Sequence, residues 1–241
     1  MKAILTYHSI DDSGSVISVP PDEFAEQVRW LASGAVPVVS VAELLSLGAD
    51  RSAVAITFDD GFANFATAAW PLLRDRGLNA TLFIPTRHVG GTNQWATTPG
   101  GSMPTLPLLD WNALARLADE GVTLGAHTRT HADLRHLTDA AMAEEIAGSF
   151  EDIARETGRR PDGFAYPYGY LDERVVSETR RSCQWACTTV LGPLGAGDDV
   201  YRLPRLDAYF LRGPARLDAF GSQLFRSYIS MRAAIRRLRK R

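Results

Sequence analysis

Seven short apolar runs, each followed by an amphipathic stretch, constrain this chain more than any other feature of its sequence. The runs are Ala3–Tyr7, Ala53–Phe58, Ala80–Pro85, Val122–Ala126, Gly163–Tyr166, Trp185–Val190 and Arg202–Ala208. Most are continuously apolar or β-branched, the pattern of strands buried on both faces of a parallel sheet. The stretches between them carry helix punctuation. Pro21 opens a helix with Phe24, Val28 and Leu31 at helical spacing, and Gly34 stops it. Asp110 caps Trp111–Glu120 ahead of Gly121, and Thr138 begins a long acidic helix through Thr157, closed by Gly158. Strand and helix alternating about seven times within 241 residues leave two architectures, a βα barrel or a doubly wound sheet.

The positions of the polar residues decide between them. The first run ends in His8, the second in Asp59-Asp60-Gly61, the fourth in His127 and the fifth in Pro167-Tyr168-Gly169. In βα barrels the active site is assembled at the carboxyl ends of several strands. Four separated segments therefore converge on one cup, which predicts an α/β chain folded as a distorted (β/α) barrel of about seven parallel strands, and an enzyme. The barrel is expected over residues 1–210, with 211–241 as a C-terminal basic amphipathic helix or tail.

Composition excludes several classes. The chain is 45% hydrophobic and 22% charged, ordinary for a globular protein and unlike disordered or fibrous chains. No apolar run approaches the ~18 residues that span a bilayer. The first residues read as a strand without a leader's cleavage site, so a cytoplasmic location is expected. Residues 222–241 hold seven basic side chains and no acid, leaving 19 basic against 28 acidic residues elsewhere, a net of −9. An acidic body with a basic tail argues against nucleic acid as a partner. Leu224, Tyr228, Met231, Ile235 and Leu238 recur at helical spacing in that tail. Packing on the domain is one expectation for this stripe, and peripheral contact with an anionic membrane is the other. Cys183 and Cys187 form no CxxC pair and read as small buried hydrophobes.

Two imidazoles four apart, His127 and His131, can share a metal if the segment makes a helical or tight turn. Adjacent acids at a strand end point in different directions. One of Asp59 and Asp60 can complete an Asp-His-His set while the other stays unligated as a general base, and Gly61 lets the backbone turn beneath them. Three protein ligands and an open position suit catalysis. Pro167 fixes a turn from which the Tyr168 N–H can face an oxyanion. The Gly-, Thr- and Pro-rich segment 89–109 carries Trp95, an aromatic placed to stack on substrate over the cup, with Tyr166 and Pro167 as further substrate contacts.

These motifs, TFDDG at Thr57–Gly61, HTRTH at His127–His131 and Pro167-Tyr168, stand in the order of carbohydrate esterase family 4, the polysaccharide deacetylases, which this sequence resembles over roughly Met1 to Ala208. Ala69–Leu73 leading to Gly77–Phe83 agrees. The resemblance implies that Asp59 is the general base and that Asp60, His127 and His131 bind zinc, with cobalt or nickel as alternatives. It also implies that the Tyr168 N–H lines the oxyanion hole. Two positions depart from the family pattern: Ala165 stands where many members have an arginine, and no histidine follows His136. The pattern instead resembles the poly-N-acetylglucosamine deacetylase subgroup, with Tyr7-His8 at the first strand end and Leu203-Pro204-Arg205 late. Arg205 is then the candidate to replace the missing arginine in space, and His8 the candidate for proton delivery or substrate contact. The implied activity is removal of acetyl from an N-acetylated amino sugar. A non-catalytic carbohydrate-binding relic, and the same chemistry on an O-acetyl, formyl or non-sugar amide group, are the alternatives.

Overall fold

In the computed structural model, which describes residues 1–96 and 103–239, all seven apolar runs are strands of one closed, parallel barrel. They are β1 (Lys2–Tyr7), β2 (Ala53–Phe58), β3 (Thr81–Ile84), β4 (Thr123–Ala126), β5 (Gly163–Ala165), β6 (Trp185–Leu191) and β7 (Leu203–Asp207). The ring closes where β7 meets β1, with Leu206 opposite Leu5 and Asp207 opposite Thr6. Pairing around the ring is uneven, and this is the distortion. β1 and β2 run in register from Lys2 opposite Ala53 to Tyr7 opposite Phe58. β4 and β5 touch through Ala126 opposite Phe164, and β6 slips against β7 between Cys187 and Leu191.

Alternation along each strand sorts the side chains. Val54, Ile56 and Phe58 of β2 face outward into the large core beneath the helices. Ala53 and Ala55 face inward, with Ile4, Phe83, Ala165, Trp185, Cys187 and Leu203, and fill the lower barrel. Gly125 leaves room for the Phe83 ring, since a Cβ there would stand 2.4 Å from it. The barrel is thus packed below and polar only at its upper mouth. Burial pushes the Cys183 and Cys187 thiols up to about 12, consistent with inert packing groups.

The helices α1 (Pro21–Ala32), α4 (Trp111–Asp119) and α5 (Asp139–Thr157) fall where their caps place them. Asp110 accepts from the Ala113 N–H, Thr138 from the Ala141 N–H, and Gly158 is left-handed at φ 70°. Shorter elements fill the remaining connections: α2 (Val41–Ser46), α3 (Trp70–Arg74), α6 (Glu173–Ser182) and α7 (Pro214–Asp218). A further strand pair, Ser9–Ile10 with Ser18–Val19, lies outside the barrel. α2 was not anticipated, although Ser40 and Glu43 form a capping box in front of it; its Val41 and Leu44 close the lower end of the barrel.

The C-terminal segment forms α8 (Gln223–Arg239), and its packed face corrects the expected stripe. Phe225 and Ile229 are buried in the barrel's outer core, with Tyr228 and Ala233 beside them. Leu224, Met231 and Leu238 are 77%, 53% and 73% exposed. Five apolar residues at spacings of four and three fitted one stripe, but Phe225 and Ile229, one step round the helix, bring larger contact against α7, Phe220 and the barrel wall. Lys240 and Arg241 lie outside the described residues. No described helix is long and apolar enough to cross a membrane.

This packing is testable by chemical denaturation. Phe225→Ala is expected to lower stability by about 3–5 kcal/mol, as for a buried aromatic in a well-packed core. Leu224→Ala should stay within about 0.5 kcal/mol of the parent, as for an exposed position. Equal effects would contradict the assignment of faces.

Candidate active site

The inward register of each strand continues into the mouth. After Ala53 and Ala55, the next inward positions of β2 are Thr57 and then Asp59, just past the strand end. Leu203 is followed inward by Arg205 on β7, Gly125 by His127 on β4, and Ile4 and Thr6 by His8 on β1. All four side chains therefore enter one space by strand parity alone.

Asp59 and Arg205 are both buried, at 3% and 2% exposure, and they form a two-pronged pair. Arg205 Nη1 donates to Asp59 Oδ1 at 2.7 Å and Nη2 to Oδ2 at 2.6 Å. Its Nε donates to the Thr188 carbonyl at 2.9 Å, which fixes the guanidinium plane. Burial pushes the Asp59 carboxyl up, but the charge and hydrogen bonds of Arg205, with His8 and His127 adding less, bring it below the usual carboxylate value. His8 Nε2 stands 3.7 Å from Asp59 Oδ2 on the more open side. Arg205, two strands further along the chain than Ala165, is thus the arginine that pairs with Asp59.

Asp60 points elsewhere because its backbone reverses: φ is 73° at Asp60 and 68° at Gly61. Its Oδ1 lies 3.5 Å from His127 Nε2 and 3.3 Å from His131 Nε2. His127 Nδ1 donates to the Ala165 carbonyl at 2.7 Å, an acceptor that holds the proton on Nδ1 and leaves the Nε2 lone pair facing Asp60. Burial would raise Asp60, yet the two imidazoles of His127 and His131 beside it hold it well below the ordinary range. Burial lowers His131. His127 is raised, because Asp60 and Asp59 more than offset its burial.

This donor set fits a divalent metal ion. Three ligand atoms from buried Asp60, His127 and His131 lie within 4.8 Å of one another, and Asp60 Oδ1 is buried without a hydrogen-bond partner. Ligand bonds of about 2.0–2.2 Å give tetrahedral edges of about 3.3–3.6 Å, matching the two carboxylate–imidazole separations.

The four non-glycine residues with positive φ among the described residues are Asp60, Thr128, His131 and Tyr168. All four are in or beside the site, each at a cost of about 1–3 kcal/mol that surrounding contacts must offset. The 127–131 segment is a tight turn rather than a helix. Glu145 of α5 accepts from the Arg129 and Thr130 N–H groups and from the Thr130 hydroxyl. Thr128 Oγ1 accepts from the His131 N–H. Asp152 accepts from Thr86 and from the Arg129 guanidinium. Sequence reasoning did not identify Glu145, Asp152 or Arg129, since helix residues 14 or more positions past the turn give no local signal.

Tyr168 sits at φ 58° and its N–H has no acceptor among the described residues, while its carbonyl accepts from Thr189 Oγ1 at 3.1 Å. Its half-exposed ring meets His131 edge-on at 4.6 Å. Trp95 stacks on His131 at 4.9 Å and leans on His88 at 4.5 Å, so it lines the mouth with part of its surface already covered. Tyr166 does not reach the mouth. Its parity in β5 turns it outward, where it is buried and donates to the Tyr201 carbonyl at 3.0 Å. Pro167 is buried beneath the turn.

Replacing Arg205 by Met should cost about 3–5 kcal/mol of stability, because Asp59 would remain buried without its partner. Urea unfolding checks this, and pairing Arg205→Met with Asp59→Leu should recover much of the loss. Loss of less than about 1 kcal/mol in the single variant would contradict a buried ion pair here.

The polysaccharide deacetylase family profile matches residues 47–182, more than half of the chain. YxkH of Bacillus subtilis (strain 168) is 27% identical over 209 residues, spanning 84% of this chain and 70% of that protein. The poly-beta-1,6-N-acetyl-D-glucosamine N-deacetylase of Staphylococcus epidermidis is 23% identical over 203 residues, or 78% of this chain and 67% of that one. The solved structure of IcaB from Ammonifex degensii shares the fold at a TM-score of 0.72 and 21% identity, covering 90% of this chain and 94% of that chain. With the motif residues gathered at one barrel mouth, the chain belongs to the polysaccharide deacetylase family.

Proposed function

We propose that this protein hydrolyses the N-acetyl group of an N-acetylglucosamine-type sugar or polysaccharide precursor, using a divalent transition metal, zinc in the first instance, held by Asp60, His127 and His131. The observation that carries this reading is the division of labour between two adjacent acids. Asp60 faces the two imidazoles, while Asp59, one residue away, is turned to Arg205. A family relative named for poly-beta-1,6-N-acetyl-D-glucosamine supports the amino-sugar class.

A metal bound there supplies a Lewis acid for the acetyl carbonyl and a water acidified towards a pKa of about 7. Asp59 stays ionised at neutral pH because Arg205 holds it so, and it accepts a proton from the attacking water as general base. Both Asp59 oxygens keep a second lone pair beyond their Arg205 bonds, so the clamp orients the carboxylate without blocking it. The unpaired Tyr168 N–H donates to the oxygen that gains negative charge. The leaving amine then takes a proton, either returned by Asp59 or delivered by His8 from 3.7 Å beyond it. Trp95 and the Tyr168 ring wall the acyl group from bulk water.

Acetate release from an N-acetylglucosamine oligomer, read beside metal content, tests the roles separately. Asp59→Asn should retain metal and lose turnover by at least about a hundred-fold, the lower end for a general base. His131→Ala should lose metal and turnover together. Turnover retained in Asp59→Asn would refute the base assignment, and chelator-resistant acetate release would refute metal-dependent hydrolysis.

A further inference from the structure

α8 reaches the mouth of the barrel. Its first turns pack low on the wall, where Phe225 meets Phe220 and Phe220 meets Trp30 of α1. Its last turns lie level with the upper strand ends, where Arg236 approaches Asp207, the final residue of β7, at 3.9 Å. The basic end of the chain is thereby brought to the β7 end of the barrel rim, on a body whose remaining residues sum to −9.

Between α8 and the Tyr168 turn lies a pocket of about 230 Å³. Its floor is Gly169 with Thr189 to Leu191, and its wall is Ala233, Arg236 and Arg237. It lies against the far side of the Tyr168 turn, because Gly169 follows Tyr168 and Thr189 Oγ1 donates to the Tyr168 carbonyl. Gly169 is required for this approach: φ is 70°, and a Cβ would stand 2.1 Å from Thr189 Oγ1. The volume is below the roughly 300–1,000 Å³ that encloses a whole small ligand, so it suits one group of a longer one.

The two arginines are under-used by the protein itself. Among the described residues, Arg236 has only the long contact to an acid, Asp207, and Arg237 donates to the Ala233 carbonyl at 3.4 Å with no acidic partner. Guanidinium groups match phosphate and carboxylate oxygens in a forked geometry. A neutral glycan offers no charge to match the pair.

We propose that the Arg236–Arg237 pocket is a subsite for a negatively charged group, phosphate or carboxylate, on the same acetylated sugar that is hydrolysed at the acyl site. The inference rests on the deacetylase reading and narrows its substrate to anionic glycans. Equilibrium binding of three N-acetylglucosamine oligomers tests it: one neutral, one with a terminal phosphate, and one ending in a uronic acid. The parent protein should bind at least one charged oligomer ten-fold or more tighter than the neutral one at low salt, with the gap narrowing as salt rises. Which charged oligomer gains distinguishes phosphate from carboxylate. In R236Q/R237Q the ratio should fall to about one. Arg237→Gln alone keeps the Arg236–Asp207 contact and should reduce the ratio by at least three-fold, should the double variant not fold. Equal binding of charged and neutral oligomers by the parent, or a gap that survives in both variants, would overturn the subsite. Acetate release on the same oligomers separates the two ideas, since a binding gap without turnover sinks the deacetylase reading and leaves the anion subsite standing.

Discussion

The pairing of Asp59 with Arg205 is the interaction on which the rest of the mouth depends. A carboxylate at 3% exposure is costly unless it is paired and hydrogen-bonded. Here the partner comes from inside the same barrel, on β7. Arg205 meets this need only because β7 closes on β1 and sends position 205 inward. The packed lower barrel, the distorted closure and the charge of Asp59 are therefore one problem. An open sheet would expose Asp59, and a one-residue slip of β7 would turn Arg205 into the outer apolar core.

With Asp59 committed to Arg205, Asp60 is free to face the imidazoles. The backbone reversal at Asp60 separates two neighbouring acids into different chemical environments. The strained turns at Thr128, His131 and Tyr168 aim the other groups, and α5 holds the histidine turn through Glu145 and Asp152. The site is thus rigid where its atoms meet and supported by a helix that contributes no group to the mouth.

Much of this was legible in the sequence because strand burial and helix caps are local signals. The seven apolar runs located the seven strands to within a residue or two, and Asp110, Thr138 and Gly158 located the ends of two helices. The clustering of His8, Asp59, His127 and Tyr168 followed from barrel geometry once the runs were seen. What escaped was set by facing and by distance. Tyr166 was read as a mouth residue, although counting inward positions from Gly163 and Ala165 places it outside. The α8 stripe was drawn through Leu224 when Phe225 and Ile229 supply the buried face. Glu145 and Arg129 act through backbone N–H groups and a tertiary ion pair, which leave no pattern in sequence.

The central claim is that one metal-ligand set, beside an arginine-held carboxylate, forms a single hydrolytic site. The most direct measurement is a titration of metal-stripped protein with Zn²⁺, following bound metal and the initial rate of acetate release from an N-acetylglucosamine oligomer in the same samples. The account expects the rate to rise in proportion to occupancy and to level off at one equivalent of metal per chain. Acetate release that is independent of metal, or full occupancy at one equivalent with no release from any N-acetylated sugar, would contradict it.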